Sequence, residues 1–513
     1  MSINLSRRTF IGAAASIGAT ASLPFLRIPG ARAAENGILT FGLSSYPPNL
    51  QPWSQSGTAA GTVKLLIHRG LLSYGPKGEY TPELAESWAN ENPTTWVFKL
   101  RPNAKFSNGN KVTSADVKWC IEQIAAEKST AFFRSEFQGI AQVDTPNDET
   151  VRIITKEPIS TLPLWFASYN LPIIPKGSDL SNPIGAGPFV ITGQERGASI
   201  TLEASPHYYK AGFPKLKGIQ IVVYADENLR VAALQAGNVD LIEYVPWQSM
   251  DAVAANNALK LDAVDGPFMC LLFNGAKKPF GDPRVRKAIA HSIRREDIVK
   301  AAFFGRGTPL AHLPISNDSP FFNADLADGW KYDPTLAKKL LAEAGVGSGF
   351  SCNILSTAQY GMLKSTAEVV QQHLAEVGIQ AELNLPDWST RVQLANRGQF
   401  DIAVHGTAAD SNDPDALTSF LDGSLPPSIS RSTNLPVPKI QTLLKAGRAE
   451  FDLEKRKAIY HEMEKVALEE VPMVGLCWRK QGYAMQSRVN GFKNLPGQLT
   501  FFSGVTLEGV SLA

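Results

Sequence analysis

TPELAESW, residues 81–88, is followed by TWVFKLRPNAKFSNGNKVTSADVKW, residues 95–119. In the second block Trp96, Phe98 and Leu100 alternate with Val97, Lys99 and Arg101, the period of a half-buried strand. Asn108-Gly109 marks a tight turn. Thr113 and Asp116 then stand at capping-box spacing ahead of Val117, Cys120, Ile121 and Ile124, which share one helical face. One block therefore encodes strand, turn and capped helix in order.

Outward from it the same alternation of helix and strand continues. Ile38 to Leu43 reads as a strand and Val63 to Leu72 as a helix, with a Pro/Ser/Gln-rich loop between them. Asp282-Pro283 caps a helix bearing Val285, Ala288 and Ile289, and Asp333-Pro334 caps another that stops at Gly345. Ser351 to Leu355 reads as a strand, Ser365 to Val377 as a helix closed by Gly378, and both Ile379 to Leu383 and Phe400 to Val404 as strands. This predicts an α/β chain whose ligands would lie in a crevice at the strand ends. Its 513 residues exceed what one core holds, so two or three domains are expected.

The N-terminus carries Ser6-Arg-Arg-Thr-Phe-Ile11, an apolar run from Gly12 to Leu26, and Ala31-Arg32-Ala33. These features predict a twin-arginine signal peptide over residues 1–33 and a periplasmic mature chain. The apolar run is broken by Pro24 and stopped by Arg27 and is shorter than the ~20 residues of a spanning helix. The whole chain has 50 Lys and Arg against 48 Asp and Glu; loss of Arg7, Arg8, Arg27 and Arg32 with the leader leaves 46 against 48, a net charge of −2. Such a chain gives no electrostatic reason to bind nucleic acid. Cys120, Cys270, Cys352 and Cys477 form no CxxC pair and sit in apolar patterns, so buried free thiols are expected.

Taken together, the opening block, GAGPF (185–189), LQAGNVDLI (234–242), FNGAKKPFGDPRVRKAIAHSIRREDIV (273–299) and YDPTLAKKLLAEAG (332–345) resemble the extracytoplasmic solute-binding proteins of ABC importers, in the large peptide/nickel class called family 5. The resemblance implies a two-lobed periplasmic binding protein of the type II, Venus-flytrap kind, with an extra domain in the larger lobe. Projected onto this chain, domain I comprises 34–72, 186–267 and 485–513, domain II 73–185 and domain III 268–484. It further implies a monomer that closes around a small-molecule solute and delivers it to the transmembrane subunits of an ABC permease.

Candidate ligand residues follow from the same resemblance. In peptide-binding relatives a loop aspartate pairs with the peptide amino group, and Asp410 in GTAADSNDPDAL (406–417) matches it; Asp410, Asp413 and Asp415 also suit a turn or helix cap. Relatives grip the peptide carboxylate with an arginine after the strand equivalent to Ser351 to Leu355, yet 356–364 contains none. Arg391 is the candidate substitute, or an exposed helix residue, and Trp388 is the candidate aromatic wall, or a core residue. Tyr46, Trp53, Gln55 and Gly57 would face the cleft from domain I, and His405 would approach it beside Asp410. The expected solute is a small peptide or amine-bearing compound, with an opine, polyamine or nickel chelate as alternatives.

No cofactor is expected. The seven histidines form no HxxxH or HxH pair, so neither a protein-held metal nor an enzyme is expected. No GxSxG elbow, P-loop or dinucleotide fingerprint occurs. A hydrolase or a periplasmic chaperone on the same fold is the remaining alternative.

Overall fold

Two strands longer than the rest, Leu259–Phe273 and Val474–Gln486, run antiparallel through the middle of the molecule. The structure is a computed structural model that describes residues 37–54, 57–181 and 184–513; the expected signal peptide and Gln55 lie outside the described residues. Around the long pair an 11-stranded sheet assembles. On one side stand Ile402–Thr407, Phe350–Leu355 and Ile379–Asn384, and on the other Leu241–Ile242, Ile38–Leu43, Gly218–Val223, Ser199–Ala204 and Phe189–Glu195, while the eleventh strand, Gly307–Pro309, pairs with Val474–Gln486 off this order. The long ladder shifts register between Asp265 and Phe268. There Gly266 passes so close to the 497–498 peptide that a Cβ would lie 2.1 Å from the Gly497 carbonyl oxygen, a packing only glycine allows.

The opening block folds as its pattern predicts. Thr95–Leu100 is the strand, with Trp96, Phe98 and Leu100 buried, inside a separate antiparallel sheet completed by Ala85–Asn92, Thr150–Thr155 and Ile140–Asn147. The helix Ser114–Ala125 opens on the full Thr113/Asp116 capping box and buries Val117, Cys120, Ile121 and Ile124 against this sheet. Farther along, Asp282 and Asp333 accept from Arg284 and Leu336 N–H groups to start Pro283–Ser292 and Pro334–Glu343.

One expected element differs. The helix predicted from Val63 to Leu72 runs instead over Thr58–Ile67, and His68 is extended. The reason is tertiary: Gly187 N–H donates to the Ile67 carbonyl at 3.0 Å, and Leu72–Tyr74 pairs with Tyr80–Pro82. Gly185 also presses on this turn, where a Cβ would stand 1.8 Å from the Ile67 oxygen. An apolar run alone does not separate helix from strand. All four cysteines are free and buried.

No helix among the described residues is long and apolar enough to cross a membrane.

Candidate functional site

Phe350–Leu355 runs parallel to both Ile379–Asn384 and Ile402–Thr407, so all three strands release their loops at one carboxyl edge. Ligand crevices in α/β sheets open at this edge. The first two of these loops are tied together: Thr357 Oγ1 donates to the Pro386 carbonyl at 2.7 Å, and Trp388 N–H donates to Gln359 Oε1 at 3.0 Å. Tyr360 then meets Trp388 edge to face, ring centroids 5.3 Å apart.

The acidic loop after Ile402–Thr407 divides into two roles. Asp413 caps the turn Pro414–Leu417 and takes a two-pronged pair from Arg456 at 2.9 and 3.0 Å. Asp415 is buried against Arg448 at 3.0 Å and accepts Thr161 Oγ1 at 2.6 Å. Both carboxylates are thus consumed by structure. Asp410 is not: among the described residues its carboxylate has no hydrogen-bond or ion-pair partner. Its backbone carbonyl accepts the Tyr74 hydroxyl at 3.2 Å, and its charge reaches the Tyr74 and Tyr169 phenols. Those two rings pack on Phe502 at 5.3 and 4.8 Å. Half-buried by area but enclosed by these rings, Asp410 is pushed up to about 7 by burial and then by the Glu136 carboxylate. An unpaired carboxylate in an aromatic enclosure is fit to receive a cation.

Arg391 is not an exposed helix residue. It is fully buried, where Nη2 donates to the Val404 carbonyl at 2.8 Å and touches His405 Nδ1 at 3.4 Å. Phe350–Leu355 pairs with its neighbour only through Ile402 and Ala403, so the Val404 carbonyl is free to be taken by a side chain. The guanidinium lies 5.3 Å from the half-buried Trp388 ring. His405 is also buried, its Nε2 3.2 Å from Ser430 Oγ. Burial, with Arg391 and Arg479 nearby, holds its pKa well below the usual histidine range.

The expected contributors from residues 46–57 are placed otherwise. Trp53 is buried in the core beneath the four-stranded sheet, its Nε1 donating to the Pro172 carbonyl at 3.1 Å and its ring 6.0 Å from Trp119. An apolar indole with a reachable carbonyl is more stable packed than facing a cleft. Tyr46 packs on a different core cluster, and its hydroxyl reaches Gln194 Oε1 at 3.3 Å. Gly57 is exposed at the start of Thr58–Ile67. Its neighbour Thr58 does approach the site, with Oγ1 3.2 Å from the Tyr244 hydroxyl.

Tyr244 and Arg479 are residues that pattern reading did not select. Tyr244 has φ of 48°, a strained setting for a tyrosine that concentrates at functional positions. It stacks near Phe501 at 6.1 Å, hydrogen-bonds Arg479, and its charge state is felt by Tyr169 and Tyr360. Asp410, Tyr169, Tyr244, Arg479, His405, Arg391, Trp388 and Tyr360 thus form a chain of mutual interactions that returns to Tyr244. The available signal was an arginine inside the apolar strand VGLCWRKQGYAM, since arginine is rarely buried without a partner. No group of three or more potential metal ligands occurs among the described residues.

Residues 79–426 match the family described as bacterial extracellular solute-binding proteins, family 5 Middle. The binding protein AgaA of A. tumefaciens R10, solved with agropinic acid, is similar at 38% identity and TM-score 0.87, covering 93% of this chain and 99% of its own. MoaA of the same strain, solved with mannopinic acid, is 26% identical with TM-score 0.80, covering 93% and 99%. The glutathione-binding protein GsiB of Pectobacterium atrosepticum is 25% identical over 493 residues, 93% of this chain and 95% of its own. The α/β chain shares the two-lobed architecture of periplasmic binding proteins.

Proposed function

The chain belongs to the bacterial extracellular solute-binding proteins of family 5, the receptors of ABC importers, and from that premise we propose that it captures a small amine-bearing solute, an opine acid or a short peptide, at Asp410. The observation that carries this reading is the unpaired Asp410 carboxylate among Tyr74, Tyr169 and Phe502. An ammonium group placed there gains a charge-assisted bond and the faces of aromatic rings. The opine class stands ahead of peptides because the likeness extends to a mannopinic acid binder as well as an agropinic acid binder, mannopinic acid carrying the basic amine that Asp410 would receive, and because 356–364 lacks the arginine of dipeptide binders.

Capture proceeds by closure of the two lobes. Three domains with the boundaries 34–72, 186–267 and 485–513, then 73–185, then 268–484 support it, because Ser160 and Thr161 then meet Arg448 and Asp415 across the opening. The receptor works as a monomer in the periplasm, is exported folded by the twin-arginine route, and hands its solute to the permease. Trp388 and Arg391 line the Asp410 cleft, with His405 behind Arg391.

Calorimetric titration with mannopinic acid, agropinic acid, glutathione, dipeptides, polyamines and nickel chelates tests the proposal. One solute should bind with single-site stoichiometry and be weakened by Asp410→Asn. Turnover of a bound solute, or affinity unchanged in Asp410→Asn for every amine-bearing binder, refutes it.

A further inference from the structure

Buried arginines without a carboxylate partner differ in how they are satisfied. Arg230, Arg286 and Arg295 are each spent on at least three backbone carbonyls, although Arg295 also keeps Nη2 buried without a partner. Their charge is spread over fixed dipoles, as a structural role requires. Arg391 and Arg479 differ. Arg391, with no exposed surface, reaches one carbonyl, and its Nε and Nη1 are buried without partners. Arg479, 1% exposed, reaches only Gln481 Oε1 at 3.3 Å and the Tyr244 hydroxyl, and its Nε is buried without a partner. Neither faces a carboxylate among the described residues.

Aromatic rings occupy the faces of both guanidinium groups. Trp388 lies 5.3 Å from Arg391, and Tyr244 and Trp247 lie 5.9 and 5.8 Å from Arg479. Stacking of this kind covers the faces and leaves N–H groups at the edge buried without partners, and the edge is what receives a planar oxyanion in a two-pronged bond. A buried cation with open donors is costly until an anion arrives. Both charges act on His405, which burial keeps neutral, so its ring neutralises neither. Arg479 is joined through Tyr244 to Tyr169 and so to Asp410.

We propose that Arg391 and Arg479 form the carboxylate-binding end of the solute cleft, opposite Asp410, so that the solute is a zwitterion bearing an amine at one end and a carboxylate at the other. The assignment rests on the reading of Asp410 as the amine-binding end. It supplies from residues 391 and 479 what the segment 356–364 lacks.

The test uses the full mature protein and four probes: mannopinic acid, glutathione, glutarate as a carboxylate without an amine, and putrescine as an amine without a carboxylate. Thermal shift and calorimetry are read on wild type, Arg479→Gln, Arg391→Gln, Arg295→Gln and Asp410→Asn. The expected result is that Arg479→Gln and Arg391→Gln each weaken the carboxylate probes by about tenfold or more and leave putrescine unaffected. Their ligand-free melting temperatures should hold or rise, because an unpaired buried cation has gone, whereas Arg295→Gln should melt lower. If Arg479→Gln fails to fold, Arg391→Gln alone decides. Wild-type affinity for mannopinic acid and glutathione in both variants overturns the proposal and leaves the Asp410 reading intact. Arginine-dependent binding of glutarate with no loss of any probe in Asp410→Asn sinks the Asp410 reading instead. Absence of any carboxylate-probe binding to wild type at millimolar concentration also overturns the proposal.

Discussion

Affinity for an amine-bearing solute should fall steeply as pH drops below 7, and Asp410 sets the midpoint. In the ligand-free protein its carboxyl is pushed up to about 7 by burial and by Glu136, so below that pH it carries a proton that must leave before an ammonium can pair. Each pH unit then costs about 1.4 kcal/mol. At pH 5, two units below, the loss is about 2.7 kcal/mol, or ~100-fold in Kd. The sign for stability is opposite to that of a salt-bridged acid. The unfolded carboxyl ionises near 3.8 and the folded one near 7, so Asp410's contribution is fully present below 3.8 and is lost as pH rises through 7, by at most about 4 kcal/mol. Lys64, pushed down to about 7 by burial and 6.0 Å from the Tyr169 ring, titrates in the same window, and comparison with Asp410→Asn subtracts it. Calorimetry from pH 5 to 8, in buffers of different ionisation enthalpy, should find release of one proton on binding below pH 7. A flat wild-type profile, or an equally steep one in Asp410→Asn, refutes the reasoning.

Three further outcomes follow from packing and closure. Thr161→Val removes the 2.6 Å bond to Asp415 without changing side-chain volume much, and loss of a charge-assisted bond of about 1.5 kcal/mol should weaken solute binding roughly tenfold; equal Kd values by calorimetry would exclude a contribution to closure. Gly185→Ala drives a Cβ to 1.8 Å from the Ile67 carbonyl and should lower unfolding free energy in urea by about 3 kcal/mol or more; a wild-type midpoint would contradict the close approach. Burial pushes the Cys120, Cys270 and Cys352 thiols up to about 12, and Cys477 higher, so a thiol reagent at pH 8 should label none in the native protein and all four after denaturation.

Local signals in the sequence carried the scaffold well. Alternation in Thr95–Leu100, the Thr113/Asp116 box and the Asp-Pro caps each act within a few residues, so no distant partner is needed to read them. The helix expected at 63–72 was misplaced because its end is set by the strand crossing at Gly185 and Gly187, far along the chain. Cleft residues suffer most from such distance. Asp410 was legible as a motif position, but that Asp413 and Asp415 are consumed by Arg456 and Arg448 depends on the helices Leu453–Glu470 and Pro438–Ala449. Trp53 and Trp388 look alike as aromatics after prolines; only the Pro172 carbonyl and the Trp119 ring mark Trp53 as a core indole, whereas Trp388 stays half-buried. Arg479 carries no motif, and its meaning arises from what does not pair with it.

The paired strands Leu259–Phe273 and Val474–Gln486 hold the two sides of the sheet in one continuous ladder. A ribbon of two hydrogen-bonded strands can twist and bend but strongly resists stretching and sliding, so its motions collapse onto very few coordinates. Arg479 is carried on that ribbon, one residue from the Phe268 and Trp478 pairing at the register shift. On the proposed grip of a carboxylate by Arg479, force on its guanidinium would be applied to that ribbon itself. A bound solute would tighten the joint directly, as a pin set in a hinge, with no relay of side chains between the binding event and the movement it selects.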